Sequence, residues 1–402
     1  MKRILIIVSI VIVFLGLVAG VYYFFFYTPA GDTSGDAGAP FPGAGERPQD
    51  PGDDGDSDIV IDDRPDGDRP LLVKIYEEPT AGAAIFLQEI GVGTSTATSS
   101  VMSREVRFVD RATGHIYAYI PETGETDRIT NTTIPGVRDV YWFNTPSQVI
   151  FRYLTDDRTI ETFSAEIQSG SLSGEFLSRN LSAIGTAGTS TLIRVEEIPE
   201  GSSVVQSQPN GSTSENVFIS PLASLRLYNV SEDVILFGSR PTQALSGILQ
   251  LYDRATGNTE RIAGGEAGIT GLSSTDGSLV LVGSGGDGEI DLRLIDRETG
   301  QRRNIPLNTL PEKCVWGAQQ QAFFCMVPQQ LHNALNPDMW YEGRLSYTAS
   351  LWRINPETGT ARPITFFDDV EPIDGIKLSI DEEDEYLTFI NKRDEALWGL
   401  DI

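Results

Sequence analysis

The chain has 402 residues, and 30 lysine and arginine residues against 57 aspartate and glutamate residues give it a formal net charge of −27. This charge disfavours electrostatic attraction to nucleic acid, so the sequence predicts no nucleic-acid partner. Only two histidines occur, His115 and His332, which leaves little material for imidazole acid–base chemistry or for a histidine-rich metal site.

The chain begins with a long apolar segment. Two of residues 1–3 are basic, and residues 4–27 contain no charged residue. As a helix, this segment would extend about 36 Å, which exceeds the ~30 Å hydrocarbon core of a bilayer. Basic residues before the span and acidic residues after it favour a cytoplasmic N-terminus. The sequence therefore predicts an uncleaved single-pass signal anchor, with the remaining chain in the periplasm or at the cell surface. A cleaved secretory peptide, which would also export the domain, is the alternative.

Residues 28–70 have a different composition. Between residues 31 and 70 there are 12 acidic residues and three arginines, with glycine and proline throughout and few apolar residues. Such a segment cannot bury enough apolar surface to offset the entropy of ordering it. We therefore expect a disordered acidic linker between the anchor and a folded domain at residues 71–402.

A short phrase recurs along this domain. Asp-Arg-x-Thr-Gly occurs at residues 110–114, 253–257 and 296–300, and Pro-Glu-Thr-Gly occurs at residues 121–124 and 356–359. Apolar residues alternate with polar ones before the phrase, as they do in a half-buried strand. Glycine adopts positive φ at low cost, and Asp and Thr oxygens can bond turn backbone groups. The phrase therefore predicts β-hairpin turns.

The spacing of the hairpin turns predicts the fold. Their glycines are Gly124, Gly170, Gly211, Gly257, Gly300 and Gly359, at intervals of 46, 41, 46, 43 and 59 residues. Four short strands per interval are typical of a propeller blade. Three more strands follow from Asp374, and a segment from Leu71 could supply the fourth. The sequence thus predicts an all-β, seven-bladed propeller latched by an N-terminal strand, with six or eight blades as alternatives.

One hairpin carries a family resemblance. Residues 273–282, SSTDGSLVLV, resemble the Ser-Pro-Asp-Gly-x-x-Ile/Leu hairpin of the WD40-like repeats in TolB-type propeller proteins, with Thr275 in the place of proline. The resemblance extends over residues 71–402 through short motifs. It implies a propeller with a binding role and transfers no catalytic residue. The order of anchor, acidic linker and propeller is also similar to that of membrane-anchored propellers of bacterial envelopes, which implies an envelope location.

The two cysteines allow a specific prediction. If residues 319–320 form a two-residue turn, Trp316 faces Phe323 and Cys314 faces Cys325. Directly opposed cysteines on an exported hairpin can oxidise. We predict a cross-strand disulfide between them, and two buried free thiols are the alternative.

A candidate binding patch follows from the longest interval. It marks an insertion in blade six, residues 329–350, whose tryptophan and tyrosine are of the kind enriched at interfaces. The loop after blade six combines aromatic and acidic residues on the same face. We predict one binding patch, formed by Trp340, Tyr341, Phe366, Phe367, Asp368 and Asp369. The alternative is that the aromatic residues of the insertion cover the flank of their own blade.

Three classes of function fit these features. The sequence favours a non-catalytic binding or scaffold module at the cell envelope, with a protein or glycan partner at the upper face and no cofactor. A metal-assisted hydrolase or lyase is the first alternative, although no metal motif or nucleophile elbow supports it. Its carboxylates at the mouth of the ring would be Asp139, Asp368, Asp369 or Asp374. A structural envelope component that associates laterally with its own copies is the second alternative.

Overall fold

The strands of the computed structural model form seven four-stranded antiparallel sheets. The structure describes residues 71–402 except residues 95–96, 286–289, 331–336 and 368–369. The predicted anchor at residues 4–27 and the predicted linker at residues 28–70 lie outside the described residues. Within the described part, no helix is both long enough and apolar enough to cross a membrane.

Each sheet is one blade, with strands numbered in chain order. Blade 1 contains β2 (Thr80–Thr94), β3 (Ala97–Asp110), β4 (Ile116–Ile120) and β5 (Glu125–Arg128). Blade 2 contains β6 (Val137–Phe143), β7 (Thr145–Leu154), β8 (Ile160–Gln168) and β9 (Ser171–Phe176). Blade 3 contains β10 (Ala183–Ala187), β11 (Thr191–Ile198), β12 (Gly201–Ser207) and β13 (Glu215–Ser220).

The remaining blades have the same order. Blade 4 contains β14 (Arg226–Val230), β15 (Val234–Gly238), β16 (Ser246–Asp253) and β17 (Asn258–Ala267). Blade 5 contains β18 (Thr270–Ser273), β19 (Leu279–Ser284), β20 (Asp291–Asp296) and β21 (Arg302–Ile305). Blade 6 contains β22 (Cys314–Trp316), β23 (Phe323–Pro328), β24 (Ala349–Ile354) and β25 (Ala361–Phe366). Blade 7 contains β26 (Gly375–Ile380), β27 (Tyr386–Asn391), β28 (Leu397–Asp401) and β1 (Leu72–Tyr76). A 3-10 turn (Pro311–Lys313) precedes β22, and a short helix α1 (Asp338–Tyr341) lies between β23 and β24.

The N-terminal strand closes the ring. β1 pairs with β28, so that Leu72 lies opposite Leu400 and Lys74 opposite Trp398. The first strand of each blade is the inner one and contacts its neighbours around the ring, including β26 against β2. The predictions of seven blades and of an N-terminal latch are therefore confirmed. We call upper the face that carries the connections between blades, together with the loops between second and third strands.

The core lies between adjacent sheets. Second strands such as β15 and β27 are buried along their whole length, because a sheet covers each of their faces. This double burial explains why β15 is a continuous apolar run, VILFG, rather than an alternating one. Between blades 6 and 7, Phe324 and Met326 pack with Leu387 and Phe389. Each such side chain contributes about 1.5–3 kcal/mol when fully buried.

The recurring phrase forms hairpin turns, as predicted. At residues 253–257, the backbone N–H and the hydroxyl of Thr256 donate to Oδ1 of Asp253 over 2.9 and 3.0 Å. Gly257 has a φ of +72° and donates its N–H to the Asp253 carbonyl oxygen. The carboxylate therefore caps its own turn, and the glycine supplies the positive φ that the turn requires.

The arginine of the phrase joins two turns of one blade. Arg254 donates to the carbonyl oxygen of Ser231, and Arg297 donates to that of Gly277, each in the turn between the first and second strands. The copy at residues 110–114 differs in position, since it connects the second and third strands of blade 1. The repetition thus serves turn geometry, and a ligand at each Asp-Arg pair is not required to explain it.

The cysteine hairpin has the predicted register. Cys314 lies opposite Cys325 and Trp316 opposite Phe323. The two sulfur atoms are bonded at 2.07 Å, as a disulfide. Gln320 has a φ of +55°, which allows the reversal between β22 and β23.

Candidate functional site

Trp340, in the insertion of blade six, is buried. Only 7% of its surface is exposed, and its indole N–H donates to Oδ2 of Asp374 over 3.1 Å. The ammonium group of Lys392 lies 4.4 Å from the centre of its ring. Trp340 is therefore packed rather than exposed, but these contacts are with blade 7 and the connection that precedes it, not with the flank of its own blade.

Tyr341 reaches from blade six to blade four. Its hydroxyl donates to Oε1 of Glu312. Its ring centre lies 5.3 Å from the guanidinium carbon of Arg226, the first residue of β14. A second link joins the same blades, because the backbone N–H of Gln243 donates to Asp338 over 2.9 Å. The insertion is thus fixed over the upper end of the central channel.

The other predicted patch residues lie elsewhere. Phe367 is 5% exposed and packs against Phe389 in the core between blades 6 and 7, with ring centres 5.9 Å apart. Phe366, at the end of β25, is half-buried and pairs with Ser350. Asp368 and Asp369 lie outside the described residues. The structure does not bring Phe366 and Phe367 together with the aromatic pair of the insertion, which belongs to a separate cluster.

Asp374, proposed for the enzymatic alternative, is a structural hub. The carboxylate is fully buried and accepts hydrogen bonds from the ammonium of Lys313, the indole of Trp340 and the backbone N–H of Tyr347. Lys313 is fully buried as well. These donors occupy both carboxylate oxygens, so the group is engaged in holding the insertion and the ring together.

Asp139 is likewise engaged. Its Oδ1 lies 2.7 Å from the Nζ of Lys377, which also donates to the Ala81 carbonyl oxygen. Burial raises the pKa of Asp139, but the charge and hydrogen bond of Lys377 outweigh this and hold the pKa below its usual value. In the described part of the chain, no group of three His, Cys, Asp or Glu side chains is placed to hold a metal ion.

A cavity of about 520 Å³ opens on the upper side of the channel, between blades 2 and 4. Its floor is β10 of blade 3, whose sequence AIGTA has small side chains. A Cβ on Gly185 would lie 2.5 Å from Val230 Cγ2, so β14 approaches this strand closely only because a glycine is there. The small residues of β10 leave a recess between the larger side chains of β6 and β14. We call this recess the central pocket.

The central pocket is rich in arginine. Arg152, Arg226 and Arg240 line it, whereas the one carboxylate among its described lining residues belongs to Glu197, which is exposed. None of the three guanidinium groups has a carboxylate oxygen within 4 Å among the described residues. In a chain with a net charge of −27, the pocket therefore concentrates positive charge.

Two aromatic rings lie close to the guanidinium group of Arg226. Its guanidinium carbon lies 5.7 Å from the ring centre of Tyr228 and 5.3 Å from that of Tyr341. Burial lowers the pKa of Arg226, but the nearby Glu312 carboxylate outweighs this and raises it. The group thus stays charged, and among the described residues it has no hydrogen bond or ion pair.

Tyr141 adds a phenol to the lining of the central pocket. Burial and the charge of Asp139 raise its pKa above the usual value, while Arg152 and Arg226 both act in the opposite direction. Both cations are therefore close enough to act on the same phenol. The hydroxyl stays protonated at neutral pH and can donate a hydrogen bond to a bound group.

The sequence interpretation missed the central pocket. Its residues come from three blades and are spread over about a hundred positions, so no local motif marks them. One signal was present, because AIGTA is the inner strand with the smallest side chains beside strands that carry Tyr141 and Arg226. Small residues in an inner strand indicate a recess in the channel wall.

Comparisons with known proteins concern the fold. No protein-family model and no curated protein matches the sequence. The structure is similar to an oligogalacturonate lyase from Vibrio parahaemolyticus, with a TM-score of 0.52 and 10% identity over 80% of this chain and 99% of that one. It is also similar to an oligogalacturonate lyase in complex with manganese, with a TM-score of 0.50 and 11% identity over 80% and 98%.

A third similar structure is a chain of the mitotic checkpoint complex, with a TM-score of 0.52 and 9% identity over 89% of this chain and 98% of that one. At such identities the likeness concerns the fold alone. The chain is a seven-bladed β-propeller, and its function has to be argued from its own residues.

Proposed function

We propose that the protein is a non-catalytic binding module of the cell envelope, which takes its ligand in the central pocket at the upper face of the propeller. The observation that carries this proposal is the recess of about 520 Å³ over β10, which is within the size range of small-molecule sites. Its lining combines polar backbone with tyrosine and arginine side chains, and these can orient a ligand.

The position of the protein in the cell belongs to the same proposal. Residues 4–27 anchor the chain in the membrane, residues 28–70 act as a spacer, and the propeller lies outside the cytoplasm. The disulfide between Cys314 and Cys325 supports this location, because such bonds persist in oxidising compartments. We also relate the propeller to TolB-type repeats. In support, the hairpin at residues 273–282 has its Asp276 carboxylate bonded to the Ser278 backbone N–H over 3.0 Å.

A binding role is favoured over catalysis by the state of the channel carboxylates. Asp139 and Asp374 each pair with a lysine, and both oxygens of Asp374 also accept hydrogen bonds. Two structures of similar fold are described as lyases, but the likeness at 10–11% identity concerns the fold, and we propose no lyase activity here.

A blocked pocket tests the proposal. Ser224 is exposed at the rim of the central pocket, so Ser224→Trp should fill the recess without disturbing the core. Glu298→Trp is the matched control, because Glu298 is equally exposed in the turn between β20 and β21 on the lower face. The full chain in detergent micelles would be applied to an array of neutral and acidic oligosaccharides.

We expect at least one oligosaccharide to be bound by the unmodified chain and by Glu298→Trp, and to be lost with Ser224→Trp. Equal binding by all three proteins would show that the ligand lies elsewhere. No binding to any oligosaccharide would contradict the glycan-binding form of the proposal.

A further inference from the structure

Several buried or half-buried arginines of the ring pair with a carboxylate, while others, such as Arg254 and Arg303, bond carbonyl oxygens instead. Arg104 contacts Asp381 over 2.6 Å, Arg194 contacts Glu196 over 2.8 Å, and Arg293 contacts Glu266. By contrast, Arg152 and Arg226 have no such partner among the described residues. Asp139 and Glu312 act on these two arginines electrostatically, but no carboxylate oxygen of the described residues lies within 4 Å of either guanidinium, which leaves both able to bind an external anion.

The guanidinium of Arg226 is positioned for such a role. Its guanidinium carbon lies near the ring centres of Tyr228 and Tyr341, Arg226 lines the pocket, and its N–H groups have no hydrogen-bond acceptor among the described residues. Glu312 is the carboxylate that acts on the pKa of Arg226. However, the carboxylate oxygens of Glu312 already accept hydrogen bonds from Thr270 and Tyr341. A rigid, charged fork without a protein partner suits bidentate binding of a carboxylate or phosphate.

Arg152 faces the same space from blade 2. One of its terminal nitrogens donates to the Leu181 carbonyl oxygen, which fixes the side chain. Its Nε is buried and has no hydrogen-bond partner within the described part of the chain. An unpartnered buried donor beside a cavity costs free energy unless a bound group satisfies it.

The rest of the lining indicates a hydroxylated ligand. Tyr141, Ser182, Thr186, Ser224 and Asn229 are among its lining residues, and large apolar side chains are a minority. The hydroxyls of Ser182 and Thr186 and the amide N–H of Asn229 already donate to protein atoms, so their oxygen atoms are the groups that can accept from a ligand. Such a wall can bond several hydroxyls and is poorly suited to an apolar body.

We infer that the central pocket binds an acidic sugar, with its carboxylate or phosphate held between Arg152 and Arg226 and its hydroxyls on the small polar wall. This inference rests on the proposed function, since it assigns a ligand class to the same pocket. Arg240, exposed at the rim, adds positive charge at the entrance and should attract the anion.

Titration calorimetry on the full chain tests the inference with three probes. Sodium glucuronate carries a carboxylate, glucose 6-phosphate carries a phosphate, and glucose is the neutral sugar of the same skeleton. We expect one or both acidic sugars to bind at least about tenfold more tightly than glucose, because a charge-assisted bond is about twice as strong as a neutral one. The acidic probe that binds more tightly shows whether the pocket recognises a carboxylate or a phosphate.

Substitutions of single arginines distinguish the loss of a positive charge in the pocket from the loss of the folded structure. Arg226→Gln should weaken binding of the acidic sugar at least about tenfold, and Arg226→Lys should restore only part of it, because a lysine lacks the planar fork. Arg302→Gln, on the exposed outer strand β21, is the matched control and should leave binding unchanged. Since a pocket substitution could unfold the ring, Arg240→Gln at the exposed rim supplies a second test, with an expected loss of about threefold. Urea midpoints equal to that of the unmodified chain establish folding.

Each outcome decides between the two proposals. Equal affinity for glucose and glucuronate, unaffected by Arg226→Gln but lost with Ser224→Trp, would overturn the acidic-sugar inference and keep the pocket as a binding site. Binding that none of these variants changes would overturn both. If none of the three probes binds at 50 millimolar, on the order of the weakest sugar affinities, the inference is wrong.

Discussion

The buried pair of Lys313 and Asp374 gives the sharpest stability prediction. Both side chains are completely buried, and they join the 3-10 turn before β22 to the connection before β26. Lys313→Met would leave the Asp374 carboxylate in the interior with only the indole of Trp340 and the backbone N–H of Tyr347 as donors. Removing one partner of a buried ion pair costs about 3–5 kcal/mol. We expect a loss of that size in the free energy of unfolding.

A second lysine of the ring supplies the matched control. Lys377 bonds Asp139 over 2.7 Å, so the chemistry is the same, but their side chains are 41% and 42% exposed. Water can replace the lost ammonium there, and exposed pairs contribute roughly 0–1 kcal/mol. Lys377→Met should therefore cost several-fold less than Lys313→Met.

Urea unfolding followed by circular dichroism measures both losses from the shift in midpoint at unchanged slope. The double variant Lys313→Met, Asp374→Asn should regain part of the stability, because the uncompensated charge is then gone. Equal shifts for the two single lysine variants, or a double variant less stable than Lys313→Met alone, would refute the argument that burial decides the cost.

Three further predictions concern turns, the disulfide and pH. In Gly300→Ala the added Cβ has open space around it, so the free energy of unfolding should fall by about 1–2 kcal/mol from the positive φ alone. In Gly114→Ala the Cβ would also lie 2.5 Å from a backbone oxygen, so the free energy of unfolding should fall clearly more in the same urea assay. Cys314→Ser should lower stability by about 3 kcal/mol, since the disulfide closes a loop of 11 residues, and peptide mapping of the unmodified chain without reductant should find Cys314 joined to Cys325. Burial raises the pKa of Tyr386 far above its usual value, so the unfolded chain alone loses this proton above about pH 10, and urea midpoints should fall as pH rises beyond that value.

The fold could be predicted because the turns and strands that define it are marked by short stretches of sequence. In blades 1 to 6, the turn between the third and fourth strands contains a residue with positive φ, and glycine adopts it at low cost, so Gly257 and Gly300 mark the period directly. The latch could be predicted by counting strands, since a closed ring leaves no unpaired edge. Cysteine pairing also followed from a local rule, because a hairpin centred on residues 319–320 places Cys314 opposite Cys325. The turn itself is longer than predicted, since Gly317 bonds Ala322 and the Gln320 N–H donates to the Gly317 carbonyl oxygen.

The site could not be predicted in the same way, because its contacts are between distant residues. Trp340 has the composition of an interface residue, but its burial depends on Asp374, 34 positions later, and on the ammonium group of Lys392. The central pocket depends on three inner strands that are neighbours only after the ring has closed. Arg226 gives no sign in the sequence that it has no carboxylate partner.

The insertion and the pocket are parts of one arrangement. The insertion was predicted to present Trp340 and Tyr341 to a partner, and the structure instead directs Trp340 to the Asp374 hub and Tyr341 to the guanidinium of Arg226. Two aromatic rings next to the Arg226 guanidinium limit its motion, and a donor already restrained loses less entropy when it binds an anion. The long connection of blade six is therefore best explained as a support for the pocket of blades 2 to 4.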